Sequence, residues 1–173
     1  VRMMDFFDEQ RMSRLYEKFI LEYYRREHPR LHASASFVEW ALDDGMSEGL
    51  PAMRSDITLS AGGRVLIIDA KYYKSTMQSN FDKRTVHSGN LYQIFAYVKN
   101  KQAVLERVGE SVEVSGMLLY AATDEEVQPD VTYRMSGNQI GVRTLDLDRP
   151  FEEIRAQLDG IADMLTSPSA PAS

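Results

Sequence analysis

Two aspartates and a lysine flank a short turn in a pattern suited to binding a divalent metal ion. In the segment MRSDITLSAGGRVLIIDAKYYK, a Gly-Gly pair stands between two apolar runs. Such a pair predicts a two-residue β-hairpin turn, which pairs Ala61 with Arg64. The same register puts Asp56 directly opposite Asp69. Opposed residues of an antiparallel pair point to the same face, so the two carboxylates are expected to meet.

A lysine is expected on the same face as these acids. Lys71 follows Asp69 by two residues, and alternate residues of a strand share a face. Like charges opposite each other destabilise a hairpin, and a bound divalent cation compensates for them. Mg²⁺ prefers carboxylate oxygens. The pattern therefore predicts a Mg²⁺ site with an amine beside it, where Mn²⁺ is expected to substitute. The prediction depends on the turn, because a three-residue turn would move Asp56 to the other face.

The same residues also have a purely structural interpretation. An acidic residue near a strand end is often only solvated, and an Asp-x-Lys tripeptide arises by chance. Asp69, however, directly follows the apolar run VLII. A charge at the end of a buried strand is costly unless it is paired or liganded, so the position of Asp69 favours the metal site.

The rest of the pattern predicts a mixed α/β fold, with one sheet flanked by helices. Apolar residues recur every three or four positions between Asp5 and Glu27, which predicts a first helix. Further helices are predicted at 90–99 and 151–165, and strands at 33–42, 53–60, 64–71, 112–122, 131–136 and 139–147. The last two strands are predicted to turn at Gly137-Asn138, and the polar stretch 72–87 is predicted to be a mobile loop.

Two groups near the proposed site have both a binding and a structural interpretation. Lys74, Lys83 and Arg84 suit contacts with phosphates, or belong to an ordinary solvated loop. The pairs Tyr23-Tyr24 and Tyr72-Tyr73 suit base stacking, although packing at the edges of helices and strands is favoured.

Composition excludes several function classes. The length of 173 residues fits one domain, expected at 1–166, followed by a disordered tail at 167–173. The absence of cysteine excludes disulfides, thiol catalysis and cysteine-ligated metals. A net charge of −6 excludes gripping nucleic acid by bulk charge.

No apolar run is long enough for a membrane span, and no secretory signal opens the chain, so we expect a cytoplasmic protein. Because the chain begins at Val1, it stays open whether an N-terminal region of the same protein is absent from it.

Taken together, the motifs resemble the PD-(D/E)xK nuclease superfamily. Asp56, the tripeptide 69–71, an upstream helix with Glu17, and a downstream helix with Gln93 and Tyr97 stand in its order. The Gln-x-x-x-Tyr spacing is similar to the extra motif of the RecB-like branch. More narrowly, LYEKFI, the hairpin and GNLYQIFAYV resemble the nuclease domain of the McrC family, the cleavage subunits of modified-cytosine-dependent restriction systems. This resemblance covers about residues 15–122.

The resemblance implies a restriction-endonuclease-like fold and a catalytic role for the hairpin residues. Asp56, Asp69 and the backbone carbonyl of Ala70 would ligate Mg²⁺. Lys71 would orient the attacking water or lower its pKa, and would stabilise the pentavalent phosphate. The family usually has proline before the first aspartate, whereas this chain has Ser55. Proline there shapes the backbone and ligates nothing, so activity is still expected.

Three outer residues have implied supporting roles. Glu17 would ligate a second metal ion or hold a metal-bound water, or it is a solvated residue beside the apolar stripe of its helix. Gln93 and Tyr97 share one helix face and would contact the scissile strand or brace the metal site. Their alternatives are a surface glutamine and a tyrosine at the edge of the core.

The resemblance implies a Mg²⁺-dependent DNA endonuclease that is driven by an AAA+ GTPase partner similar to McrB. The sequence lacks the GxxxxGK[ST] motif of a nucleotide-binding P-loop, which agrees with nucleotide hydrolysis by another chain. Two alternatives remain open: a catalytically silent docking module of this fold for a motor protein, and a RecB-like nuclease of another DNA-processing system. The presence of Asp56, Asp69 and Lys71 together favours an enzyme.

Overall fold

The computed structural model describes residues 3–73, 77–80, 83–124 and 128–168. The helices are α1 (Met3–Glu27), α2 (Ser88–Arg107) and α3 (Phe151–Thr166), with a 3₁₀ helix at Pro29–Leu31. The strands are β1 (Phe37–Val38), β2 (Met53–Arg54), β3 (Ile57–Ala61), β4 (Arg64–Lys71), β5 (Met77–Asn80), β6 (Lys83–Val86), β7 (Glu113–Ala121), β8 (Val131–Met135) and β9 (Asn138–Leu145). Within these described residues, no helix has the length and apolar character needed to cross a bilayer.

A five-stranded sheet forms the centre of the fold, in the order β3-β4-β7-β9-β8. Strands β4, β7 and β9 run parallel, and β3 and β8 pair antiparallel at the two edges. The strands β1 and β2, and the strands β5 and β6, form separate two-stranded sheets. The mixed sheet with flanking helices confirms the predicted fold class.

The hairpin of β3 and β4 has the predicted register. Ala61 pairs with Arg64, and Ile57 pairs with Ile68. The turn residues Gly62 and Gly63 have φ angles of +53° and +79°, which is the left-handed backbone that a two-residue type I′ turn requires. Glycine adopts this backbone without a steric cost, so the Gly-Gly pair sets the register that brings the two aspartates together.

Strand β4 is buried on both faces, as its apolar run predicts. Leu66 and Ile68 pack in the cluster that includes α1 and α3, and Ile67 packs in the cluster that includes α2. Helix α2 lies close to the sheet at Gly116. A Cβ atom added there would be 2.7 Å from Val98 Cγ2, so only glycine permits this approach. The sheet is thus covered by helices on both faces at β4 and β7.

Two strand predictions near the hairpin are partly wrong. In the predicted strand 33–42, only Phe37–Val38 forms a strand, with an isolated bridge at Ser34. The predicted strand 53–60 is interrupted before β3. The Ser55 hydroxyl lies 2.7 Å from Thr58 Oγ1 across the interruption, and the Ser55 N–H donates to Ser36 O. Such local serine bonds compete with the strand ladder, so Asp56 lies in a bend and not in a paired strand.

The predicted mobile loop 72–87 is also corrected, because β5 and β6 pair within it as an antiparallel hairpin. Lys74 lies outside the described residues, as do the side chains of Lys83 and Arg84, so their predicted phosphate contacts are not described. The predicted tail begins with Ser167, whose N–H donates to Asp163 O at 2.8 Å and closes α3. The remainder of the tail, 169–173, lies outside the described residues.

The predicted turn between the last two strands is displaced by one residue. Ser136 and Gly137 occupy it, with φ angles of +51° and +85°. Asn138 is the first residue of β9 and is only 5% exposed. Its Nδ2 donates to Val114 O at 2.8 Å. This buried hydrogen bond holds Asn138 in the strand, because an unpaired amide there would be costly. Helix α2 also extends beyond its predicted end, to Arg107.

Candidate active site

The apolar strand β4 carries Asp69 into the interior, where it is 4% exposed. Its Oδ1 atom lies 3.1 Å from the Nζ atom of Lys71. Its Oδ2 atom is buried and has no hydrogen-bond partner among the described residues. A buried carboxylate oxygen without a donor is costly. A cation bound at Oδ2 would remove this cost.

The carboxylate of Asp56 is held beside Asp69 by the backbone of β4. Its Oδ2 atom accepts a hydrogen bond of 2.8 Å from the N–H of Ala70. Burial raises the pKa of Asp56 well above its usual range, and the carboxylates of Asp69 and Glu17 raise it further. The Ala70 N–H acts in the opposite direction. The acids therefore resist joint ionisation, which is the condition that a divalent cation relieves.

Lys71 is a fixed positive charge next to this pair. Its Nζ atom donates to Gln93 Oε1 at 3.2 Å as well as contacting Asp69. Burial lowers the pKa of Lys71, but Asp69, Tyr73 and Asp56 outweigh burial, and the net pKa is raised. The side chain is therefore an ammonium group at neutral pH.

Gln93 and Tyr97, the two residues predicted to act from helix α2, both lie next to this lysine or its partner. The Nε2 atom of Gln93 donates to the hydroxyl of Tyr97 at 2.9 Å, while its Oε1 atom accepts from Lys71. Gln93 thus bridges the helix and the lysine, which argues against a mere surface role. Tyr97 is 8% exposed and packs in the core cluster beneath α2. Its ring is therefore that of a tyrosine at the edge of the core, which was the structural alternative. A hydrogen-bonded chain therefore leads from Asp69 through Lys71 and Gln93 to Tyr97.

Glu17 borders the aspartate pair from helix α1. The residue is half-buried, and burial, followed by the charge of Asp69, raises its pKa, while Lys71 and Arg14 oppose the shift. Across the described ranges, no group of three or more acidic or histidine side chains is arranged to hold a metal ion. Ligation of a metal ion by the two aspartates, by Glu17 and by the Ala70 carbonyl therefore stays a prediction.

A polar network beside the lysine was missed by sequence analysis. The Nδ2 atom of Asn90 donates to the Tyr120 hydroxyl at 3.0 Å, and the Tyr73 hydroxyl donates to Asn90 Oδ1 at 3.4 Å. The available signal was Asn90 itself, a polar residue one helical turn before Gln93 and therefore on the same face.

The paired tyrosines of the sequence serve packing. Tyr24 is fully buried, and its hydroxyl donates to Leu158 O at 2.8 Å. The Tyr72 ring lies 6.1 Å from that of Tyr16, and the Tyr73 ring lies 6.2 Å from that of Tyr120. These ring contacts agree with the structural interpretation of both pairs.

A cavity of about 400 Å³ lies elsewhere, at the amino end of β4. It is lined by Arg64, Leu66 and Met117, among others, and contains none of the candidate residues. The candidate site is therefore identified by the chemistry of its side chains and not by this cavity.

The fold and the site together define an α/β protein with an acidic centre suited to a divalent cation. The family model described as the McrBC 5-methylcytosine restriction system component matches residues 10–121. The chain belongs to this family. The match spans most of α1, the hairpin with both aspartates, α2 and β7, so it includes every candidate residue.

The relatives agree with this assignment. The chain is 34% identical over 159 residues to the type IV methyl-directed restriction enzyme EcoKMcrBC of Escherichia coli strain K12. The alignment covers 90% of this chain and 44% of that protein, so the chain spans less than half of its relative.

A solved structure shows the same fold. It is described as a refined half-complex from a tetradecameric assembly of Thermococcus gammatolerans McrB AAA+ hexamers with bound McrC. The TM-score is 0.57 at 18% sequence identity, over 87% of this chain and 33% of that chain. Together with the family match, this likeness confirms the similarity to McrC that the motifs predicted.

Proposed function

We propose that this chain is the Mg²⁺-dependent DNA endonuclease subunit of a modified-cytosine-dependent restriction system, with a PD-(D/E)xK catalytic centre. The observation that carries the proposal is the pairing of the half-buried Asp56 with the buried Asp69, with Lys71 Nζ 3.1 Å from Asp69 Oδ1. Membership of a 5-methylcytosine restriction family supports the biological role.

The acid pair has the donor chemistry of a Mg²⁺ or Mn²⁺ site. Carboxylate oxygens are hard ligands that both ions accept, and Asp69 Oδ2 is buried without a donor in the described part of the chain. When bound, the cation would polarise a phosphoryl oxygen and supply an acidic water for attack. The Ala70 N–H would keep Asp56 oriented, since it already holds one oxygen of that carboxylate at 2.8 Å.

Lys71 would act as a positive charge and not as a base. Its pKa is raised above the ordinary lysine value, so at neutral pH it has no lone pair with which to accept a proton. Held between Asp69 Oδ1 and Gln93 Oε1, the ammonium group would hold the attacking water by donating to it. It would also stabilise the negative charge that develops on the phosphate.

The chain is expected to depend on a partner for gripping DNA. Its net charge is −6, and phosphate contacts by cations supply most non-specific affinity for DNA. We propose an AAA+ GTPase similar to McrB as that partner. The proposal is supported by the assembly named for the structural neighbour, which contains McrB AAA+ hexamers with bound McrC. A silent docking module is disfavoured, because both aspartates and the lysine are present together.

The test is a cleavage assay on a 5-methylcytosine duplex, with an unmodified duplex as the control. We expect Mg²⁺-dependent cutting when the chain, the GTPase and GTP are all present. Without the partner we expect negligible cutting and weak, salt-sensitive DNA binding. Efficient partner-independent cutting at moderate salt would overturn the subunit role. Failure to cut in an assembled complex would support the silent docking module instead.

A further inference from the structure

We infer that Asn90, Tyr120 and Tyr73 form a clamp that positions Lys71, an inference that rests on the proposed nuclease function. In this clamp, Asn90 Nδ2 donates to the Tyr120 hydroxyl at 3.0 Å, and the Tyr73 hydroxyl donates to Asn90 Oδ1 at 3.4 Å. Tyr120 is fully buried and Asn90 is 8% exposed. One amide group thereby joins helix α2, strand β7 and the segment that follows β4.

The clamp residues lie next to the lysine in the strand register, in the chain and along helix α2. Lys71 and Tyr120 are register partners on the parallel strands β4 and β7, so their side chains leave the sheet on the same face. Tyr73 follows Lys71 by two residues and is one of the groups that raise its pKa. Asn90 lies one helical turn before Gln93, whose Oε1 atom accepts from Lys71 Nζ at 3.2 Å.

The clamp also attaches the first turn of α2 to the sheet, through the bond of Asn90 to Tyr120 on β7. Further along, the helix is held against Gly116 through Val98, and later by bonds of Lys99 and Gln102 to Asn138 and β7. Among these attachments, the Asn90 bond lies nearest to Gln93 and holds the rotation of α2 at this end. That rotation decides whether Gln93 reaches the lysine.

Loss of the clamp should therefore affect the lysine and not the acid pair. Once the first turn of α2 is released, Gln93 no longer holds the ammonium group in one place. Misplacement of a catalytic group by about 1 Å is enough to reduce a rate by about a hundredfold. Asp56 and Asp69 lie on the hairpin, whose register comes from its own turn. Mg²⁺ binding is therefore expected to be unchanged.

The sharpest test compares two tyrosine variants that each lose one buried hydroxyl. Tyr120→Phe removes the clamp hydroxyl, whereas Tyr24→Phe removes a hydroxyl that donates to Leu158 O at 2.8 Å on the other side of the sheet. Both rings are fully buried, so similar decreases in melting temperature are expected. In the complex with the GTPase, we expect Tyr120→Phe to lower the cleavage rate at saturating DNA about tenfold. Tyr24→Phe should leave this rate unchanged.

Asparagine variants give a second matched pair. Asn90→Ala removes the clamp amide. Asn138→Ala removes a buried amide that bonds Val114 O and, on α2, Lys99 and Gln102, more than one helical turn beyond Gln93. Only Asn90→Ala should slow cleavage. If Asn90→Ala does not fold, the tyrosine pair decides, because Tyr120→Phe removes a single oxygen atom.

A measurement on the lysine separates this inference from the proposed function. The ¹³Cε resonance of Lys71, assigned through Lys71→Arg, should shift in Tyr120→Phe and stay in place in Tyr24→Phe. If the wild type cuts no DNA under any condition, the nuclease proposal fails, and the resonance alone decides on the clamp. An unshifted resonance in Tyr120→Phe, or equal cleavage rates in the two tyrosine variants, would show that the network is structural only and would overturn the inference.

Discussion

Two clusters on opposite sides of the sheet, one around Asp159 and one around Asp56 and Asp69, differ in how they stabilise negative charge. On the side of α1 and α3, Asp159 Oδ1 accepts from the Tyr23 hydroxyl at 2.6 Å and lies 2.6 Å from His28 Nε2. Burial raises the pKa of Asp159, but Tyr23, His28 and Arg155 outweigh burial, and the net pKa is lowered. The ionised form of this carboxylate is therefore stabilised by its surroundings.

The cluster near α2 does the opposite. Asp56 has a raised pKa because it is buried next to another carboxylate, and Asp69 Oδ2 has no donor in the described part of the chain. The hydrogen bond from the Tyr23 hydroxyl to Asp159 joins α1 to α3 and has a structural role. The acid pair, in contrast, has one lysine, Lys71, for two carboxylates. The Asp159 side chain is also more exposed, at 36% against 6% for Asp69, so burial and incomplete compensation together distinguish the candidate site.

The largest expected effect that separates the clusters comes from Asp69→Asn. We expect cleavage by the complex to fall about a thousandfold or more, because one of the proposed metal ligands is lost. Without metal, we expect only a small change in melting temperature, because relief of the repulsion from Asp56 offsets the loss of the ion pair with Lys71. Unfolding of this variant would show that Asp69 is structural and that its catalytic assignment is wrong.

The reciprocal variant, Asp159→Ala, should affect stability and not cleavage. Tyr23 and His28 would both lose an acceptor, at an expected cost of about 2 kcal/mol in the free energy of unfolding. Urea denaturation measures this cost, and the cleavage rate at low temperature should equal that of the wild type. If cleavage fell with stability intact, the two clusters would be functionally coupled and the contrast between them would fail.

A further expected effect is a pH dependence of stability. A carboxyl whose pKa is raised on folding binds its proton more tightly in the folded state. The free energy of unfolding therefore falls as pH rises from about 4, the ordinary carboxyl value, towards the raised pKa of Asp56. Its slope is at most about 1.4 kcal/mol per pH unit for one proton.

Melting temperatures in EDTA between pH 5 and pH 9 measure this effect, with Asp56→Asn as the control that should have a flatter profile. Added Mg²⁺ should stabilise the wild type more at high pH, because the cation then displaces no proton. Equal profiles for the wild type and Asp56→Asn would contradict the strained acid pair.

Sequence alone was sufficient for the residues that one hairpin positions. The Gly-Gly turn sets the pairing of Ala61 with Arg64, and the two-residue period of a strand then assigns Asp69 and Lys71 to one face. Asp56 lies in the bend just before β3 and is held near them by the Ala70 N–H. This geometry is local, so residue types and spacing determine it. The same applies to the family, because its motifs are short and stand in a characteristic order.

Local bonds that compete with a strand were less predictable. The bend at Ser55 depends on Ser36 and Thr58, which a pattern of alternating residues does not reveal. The polar composition of 72–87 predicted a loop, although backbone pairing between β5 and β6 needs no apolar residues.

Only the tertiary structure decided what surrounds the lysine. The contact of Lys71 with Gln93 and the bond of Asn90 to Tyr120 join residues that are distant in the chain. Both depend on the rotation of α2 about its axis, and helical periodicity alone does not fix that rotation relative to the sheet. The close approach at Gly116, the buried amide of Asn90 and the bonds of Lys99 and Gln102 to Asn138 and β7 fix it together, and each acts only once the helix and the sheet are packed together.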